Sequence, residues 1–164
     1  MDYRALKYLQ ETAVVTLGIL EVSEFISNYH KFLSKSDPID PIHIEALKDF
    51  EDGLNSIKEK LDEATPDDIY SSVACAYSFL VRYYIDSNIE KAIFSAVRAF
   101  NLIKQTDFDR IPFLVDAWLV LIKGGDRDNA YIYLKEAISE FDKIHVLDGD
   151  NDLITDYIRT VYHY

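Results

Sequence analysis

Apolar residues recur every three or four positions along almost the whole chain, and that spacing leaves little room for any fold but a helical one. Over residues 2–35 they fall at Leu6, Leu9, Ala13, Leu17 and Leu20, then at Phe25, Tyr29 and Phe32. Strand alternation would place them two apart. Val14, Val15, Ile19, Val22 and Ile26 broaden the face. This predicts one long N-terminal helix covered on more than one side, with Gly18 as a kink or a close helix crossing.

Punctuation divides the rest. Ser36-Asp37-Pro38-Ile39-Asp40-Pro41 stops the first helix, and Asp40 followed by Pro41 has the form of an N-cap with proline at the first helical position. A second helix over 41–63 carries Ile44, Leu47, Phe50, Leu54, Ile57 and Leu61. Thr65-Pro66-Asp67-Asp68 reads as a capping Thr, a proline and two acids favoured by the helix dipole, opening a third helix over 66–86. Further helices are expected over 88–105, 109–123, 126–144 and 151–162, with Gly124-Gly125 ending one and Asp126 opening the next. With only 5 Gly and 4 Pro, a turn-rich β fold is excluded. The expected fold is all-α: about seven helices as antiparallel hairpins, in a repeat array or an irregular bundle. The expected organisation is a single domain over 1–164, made of an N-terminal helical pair (1–63), two repeat-like hairpins (66–144) and a capping helix (150–164).

One self-alignment supports the two hairpins. Residues 87–99 lie over 125–137, so Ala92 and Ala99 fall on Ala130 and Ala137, while upstream Phe79-Leu80 and Tyr83 fall on Ala117-Trp118 and Leu121. Small residues on the second helix of each pair, bulky ones on the first, and Gly125-Asp126 in the turn together resemble the tetratricopeptide repeat. The period is longer than that family's ~34 residues, and Trp118 stands where the family often has Gly or Ala. The resemblance implies close-packed helical hairpins and a groove lined by the first helix of each. Along that groove Ala74, Tyr77, Val81 and Tyr84 would continue to Val115, Leu119 and Ile122. It lacks the Lys and Asn residues with which some family members hold a peptide carboxylate.

Charge narrows the partners. The chain has 29 Asp and Glu against 17 Lys and Arg, a formal net charge of −12. Nucleic-acid backbones and anionic membrane surfaces would repel it. No apolar run approaches the ~20 residues of a membrane helix, and the first residues do not read as a signal peptide, so a cytoplasmic protein is expected. The lone cysteine, Cys75, excludes an internal disulfide and, in an apolar run, is expected to be a small core residue.

Chemistry-bearing motifs are scarce. The four histidines, His30, His43, His145 and His163, have no metal-ligand spacing. Asp148-Gly149-Asp150-Asn151-Asp152 alternates oxygen ligands, but the glycine and glutamate of a calcium loop are replaced by Leu153 and Arg159, so a turn that caps the last helix is expected. No phosphate-binding glycine loop, nucleophile elbow or zinc motif occurs. No cofactor, no metal and no catalysis are expected, and a hydrolase with carboxylates in a helical cleft ranks last. Twelve tyrosines are unusual in such a chain, and tyrosine is enriched in binding hot spots. The candidate partner-binding residues are therefore Tyr77, Val81, Tyr84, Val115, Leu119, Tyr131 and Tyr133, with Asp126 and Asp128 beside them. The expected function is a non-catalytic protein-interaction module. In its sharper form it is an acidic inhibitor of the immunity or phage anti-defence type, covering a basic surface on its partner. The alternative is a structural or regulatory adaptor whose acidity serves solubility.

Overall fold

The computed structural model describes residues 2–145. These form seven helices, and no strand occurs among them: α1 (Tyr3–Thr16), α2 (Ile19–Lys35), α3 (Pro41–Lys60), α4 (Asp67–Tyr84), α5 (Ile89–Ile103), α6 (Ile111–Lys123) and α7 (Arg127–His145). The fold is all-α as the periodicity required. The helix expected over 151–162 and the acidic string 148–152 lie outside the described residues.

The first 35 residues depart from expectation. The helix expected over 2–35 is two helices, and the N-terminal pair is three. Asp2 caps α1 by accepting the N–H of Ala5, and α1 stops where Leu17 turns into the left-handed region at φ 52°. Gly18 then starts α2 from an extended conformation. A helix with apolar residues on several faces gains more by folding back on itself than by running on, because α1 can then bury against both α2 and α3. A left-handed Leu costs roughly 1–2 kcal/mol, which this burial offsets.

Aromatic packing joins the three. Phe25 and Tyr29 of α2 meet Phe50 of α3, with ring centroids 5.1–5.6 Å apart and Tyr29 stacked on Phe50. Gly53 lets the helices approach, since a Cβ there would stand 2.7 Å from the Phe25 ring. Phe50 also touches Phe79 of α4, so the cluster continues into the following hairpin.

Helices α4 with α5, and α6 with α7, pack as neighbouring pairs; α6 packs back on α5 and touches α4. The alanines aligned in the sequence do what close packing needs: Ala92, Ala99, Ala130 and Ala137 are all buried. Gly125 at φ 84° closes the turn between α6 and α7. The N–H of Asp126 reaches Leu121 O and that of Gly125 reaches Ile122 O, the two bonds of a Schellman cap. The Thr65 hydroxyl does not cap α4. It accepts the N–H of Asp62 instead and fastens the preceding turn, and α4 starts at Asp67 with Pro66 in the N-cap position and no side-chain cap. Cys75 also corrects the sequence reading, because it is exposed on α4. The heptad face of α4 that enters the core is Tyr70, Val73, Tyr77 and Leu80, and position 75 falls outside it.

Candidate functional site

The structure divides the sequence-predicted residues between core and surface. Tyr77, Val81 and Tyr84 are buried, with Ala74 beside them, so this part of the expected groove is a packing face. Val115 and Tyr133 are half-buried, and Leu119 and Tyr131 are exposed. Asp128 is exposed in the first turn of α7. Asp126 caps that helix: the Asn129 side-chain amide and backbone N–H both donate to its carboxylate and hold its pKa down. These nine residues do not form one surface.

Tyr77 and Tyr84 nevertheless line a feature of their own. Their hydroxyls leave the core toward α3, where Tyr77 donates to Asn55 Oδ1 at 2.5 Å and Tyr84 donates to Glu51. Burial, then the hydrogen bond and charge of Glu51, push the Tyr84 pKa far up. At Tyr77 burial raises the pKa, and the neighbouring Arg98 cation partly opposes it. Glu51, Asn55, Lys91 and Phe94 complete a cavity of about 80 Å³ here.

A second assembly gathers where α3 gives way to α4 and α5 to α6. Asp62, Glu63 and Asp67 line an opening of about 350 Å³ with Thr65, Tyr70 and Gln105. The backbone N–H of Asp107 donates to Asp67 Oδ2 at 3.3 Å and pins the α5–α6 loop to the start of α4. Asp68 and Asp109 are exposed beside these residues in the chain. Among the described residues none of these six acids makes an ion pair. Tyr70 sits at the base and donates its hydroxyl to Asp62 O at 3.0 Å. Its pKa is raised by burial and then by the charges of Asp62, Asp67 and Glu63. In the sequence each pair of acids is accounted for by a helix start or a turn, and some do act so: Asp109 accepts the Ile111 N–H and Asp62 accepts the Ala64 N–H. The missing signal was spatial, since residues 62–68 and 107 meet only when α4 and α5 fold into a hairpin.

Between α4 and α6, Asp116 is half-buried with Arg82 and Ser78 around it. Desolvation raises its pKa, and Arg82 and a hydrogen bond from Ser78 pull it back only in part. A carboxyl whose folded pKa lies above the unfolded value favours the folded state at low pH, and this contribution is lost as pH rises through the folded pKa. Asp116→Asn is therefore expected to raise Tm at pH 7 and leave it nearly unchanged at pH 3. Thermal melts followed by circular dichroism at the two pH values check this, and a lower Tm at pH 7 contradicts it.

Among the described residues no group of three or more His, Cys, Asp or Glu is arranged to hold a metal ion. No helix among them is long and apolar enough to cross a membrane. No protein-family model matches the sequence, and no curated protein or solved structure matches it.

Proposed function

We propose that this protein is a non-catalytic protein-binding module that receives cationic side chains of a partner in the acidic opening at the α3–α4 and α5–α6 loops. The observation that carries the reading is the opening that Asp62, Glu63 and Asp67 line with Tyr70, to which the backbone N–H of Asp107 ties the α5–α6 loop, with no basic residue of the described chain paired to these acids. Exposed carboxylates with no basic neighbour give this opening a negative potential that attracts a partner's Lys or Arg. The net charge of −12 adds long-range attraction to a basic surface and speeds encounter. An inhibitor that covers a basic, nucleic-acid-binding surface is the form of this function that charge favours. The scaffold reads as tetratricopeptide-like: two stacked hairpins with buried alanines at equivalent places and a glycine turn within the second.

A tetra-arginine peptide titrated into ¹⁵N-labelled protein tests the site. Amide shifts are expected to centre on residues 62–70 and 105–109, with saturation. The triple variant Glu63→Gln, Asp68→Asn, Asp107→Asn alters only exposed side chains. It is expected to weaken binding about tenfold at low salt, in keeping with ~0.5 kcal/mol for each lost exposed charge contact. Shifts spread evenly over all exposed acids, including Glu45 and Asp52, would sink the proposal and favour the adaptor whose acidity serves solubility.

A further inference from the structure

The bend between α1 and α2 rests on one strained residue. Leu17 is the only non-glycine residue at positive φ among those described, and Gly18 follows in extended backbone at φ −74° and ψ 147°. No proline and no left-handed glycine builds this turn. The side-chain pattern does not reset at it either. Steps of four, three and four join Tyr8, Thr12, Val15 and Ile19 across the bend, and the alternation runs on to Val22 and Ile26. That is the register of one face of one helix. In the folded-back arrangement Val22 is buried and Ile26 half-buried, whereas Tyr8, Val15 and Ile19 are exposed. What holds α1 in place is its docking, and among the described helices it packs only on α2 and α3. The Tyr3 hydroxyl donates to Asp49, Gln10 Nε2 donates to Asp49 O at 3.0 Å, and Lys60 Nζ donates to Val14 O at 2.7 Å. An α1 arriving from another copy would find every one of these partners.

We propose that two copies of this chain exchange α1: residues 3–35 straighten into one helix roughly 50 Å long, and each α1 docks on α2 and α3 of the other copy. The exchanged dimer keeps the contacts of α1 and frees each chain of a left-handed Leu. A two-residue bend under strain is the kind of hinge that favours exchange, because straightening it gains energy while the docking surfaces stay the same. The unbroken four-and-three register shows that the sequence accommodates the straight form. Two terms oppose the dimer. Association costs translational and rotational freedom, so the monomer dominates in dilute solution. Each copy carries a net charge of −12, so salt favours the dimer by screening their repulsion. This salt response is opposite to that of the acidic opening, and either proposal can fail without the other.

The test refolds the full chain from urea at about 1 mM, where mass action favours association, and separates the products by size exclusion with light scattering. A dimer is expected beside the monomer, with a share that rises with protein concentration and with salt. Gly18→Ala raises helix propensity at the bend, and its Cβ would meet only the flexible Glu21 side chain. It is expected to raise the dimerisation constant at least about fivefold. Inserting Gly-Ser-Gly between residues 17 and 18 lets Leu17 leave the left-handed region without straightening, and is expected to lower the constant at least about tenfold. If the insertion does not refold, Leu17→Asn replaces it, since Asn tolerates the left-handed region, and is expected to act in the same direction. Exchange is distinguished from side-by-side docking by refolding isotope-labelled and unlabelled chains together. Isotope-filtered NOEs are expected between Tyr3 of one chain and Asp49 of the other. Wild type and Gly18→Ala that both remain monomeric at this concentration would overturn the proposal. So would a dimer without those interchain NOEs, or hinge variants that leave the dimerisation constant unchanged or move it in the reverse directions.

Discussion

Phe50→Ala is expected to destabilise the fold by ~3–5 kcal/mol, the range for emptying a large aromatic from a well-packed core. Phe50 is fully buried and touches Phe25, Tyr29 and Phe79, so one truncation loosens α2, α3 and α4 at once. Little can collapse into the space. The neighbouring rings are wedged by the approach that Gly53 permits, and helices that already touch cannot move closer. For a chain of this size the loss corresponds to a fall of about 10 °C or more in Tm. Urea unfolding followed by circular dichroism measures it. A loss below about 1.5 kcal/mol would mean that the aromatic cluster does not close the N-terminal core.

His43→Ala is expected to cost ~2–4 kcal/mol, for a polar reason as much as a packing one. His43 is buried at 1% exposure in α3, and both ring nitrogens are engaged: Nδ1 is 2.5 Å from Ser36 Oγ and Nε2 is 2.6 Å from the Tyr83 hydroxyl. The Ser36 hydroxyl donates to Phe32 O, so its oxygen is left to accept from Nδ1–H, and Nε2 accepts from Tyr83. In this proton arrangement a neutral ring satisfies every partner, and the chain of bonds ties the end of α2 through α3 to α4. Removing the ring leaves two hydroxyls short of a partner as well as a cavity. Tyr83→Phe removes one link only and is expected to cost ~1 kcal/mol. A double-mutant cycle between positions 43 and 83 is expected to show coupling of at least ~0.5 kcal/mol, and additive losses would refute the linked network.

How far these features were legible in the sequence depended on their range. The 3.6-residue spacing and the Asp40-Pro41 start fixed the class and the beginning of α3, because both act within one or two turns. The alanines at 92, 99, 130 and 137 were legible as a pair of pairs, and their burial agrees with close hairpin packing. The break at Leu17 was not legible: nothing local forces a Leu into the left-handed region, and the gain that offsets it comes from α3. Tyr77 and Tyr84 were singled out for a binding surface, yet their rings are core and only the hydroxyls reach a polar cavity. Tyrosine serves both roles, and composition does not separate them. His43 had no partner within helical reach in the sequence; its partners are 7 and 40 residues away. The acidic opening was invisible for the same reason.

The exposure of Cys75 has a practical consequence. The chain has one cysteine and one tryptophan, so it already contains a unique attachment point on α4 and a unique intrinsic emitter, Trp118, on α6. A fluorescent acceptor on the thiol makes a donor–acceptor ruler between the first helices of the two hairpins without any substitution. A partner that spreads or tightens the stack would register as a change in energy transfer, while one that merely docks on a rigid scaffold would leave the ruler unchanged.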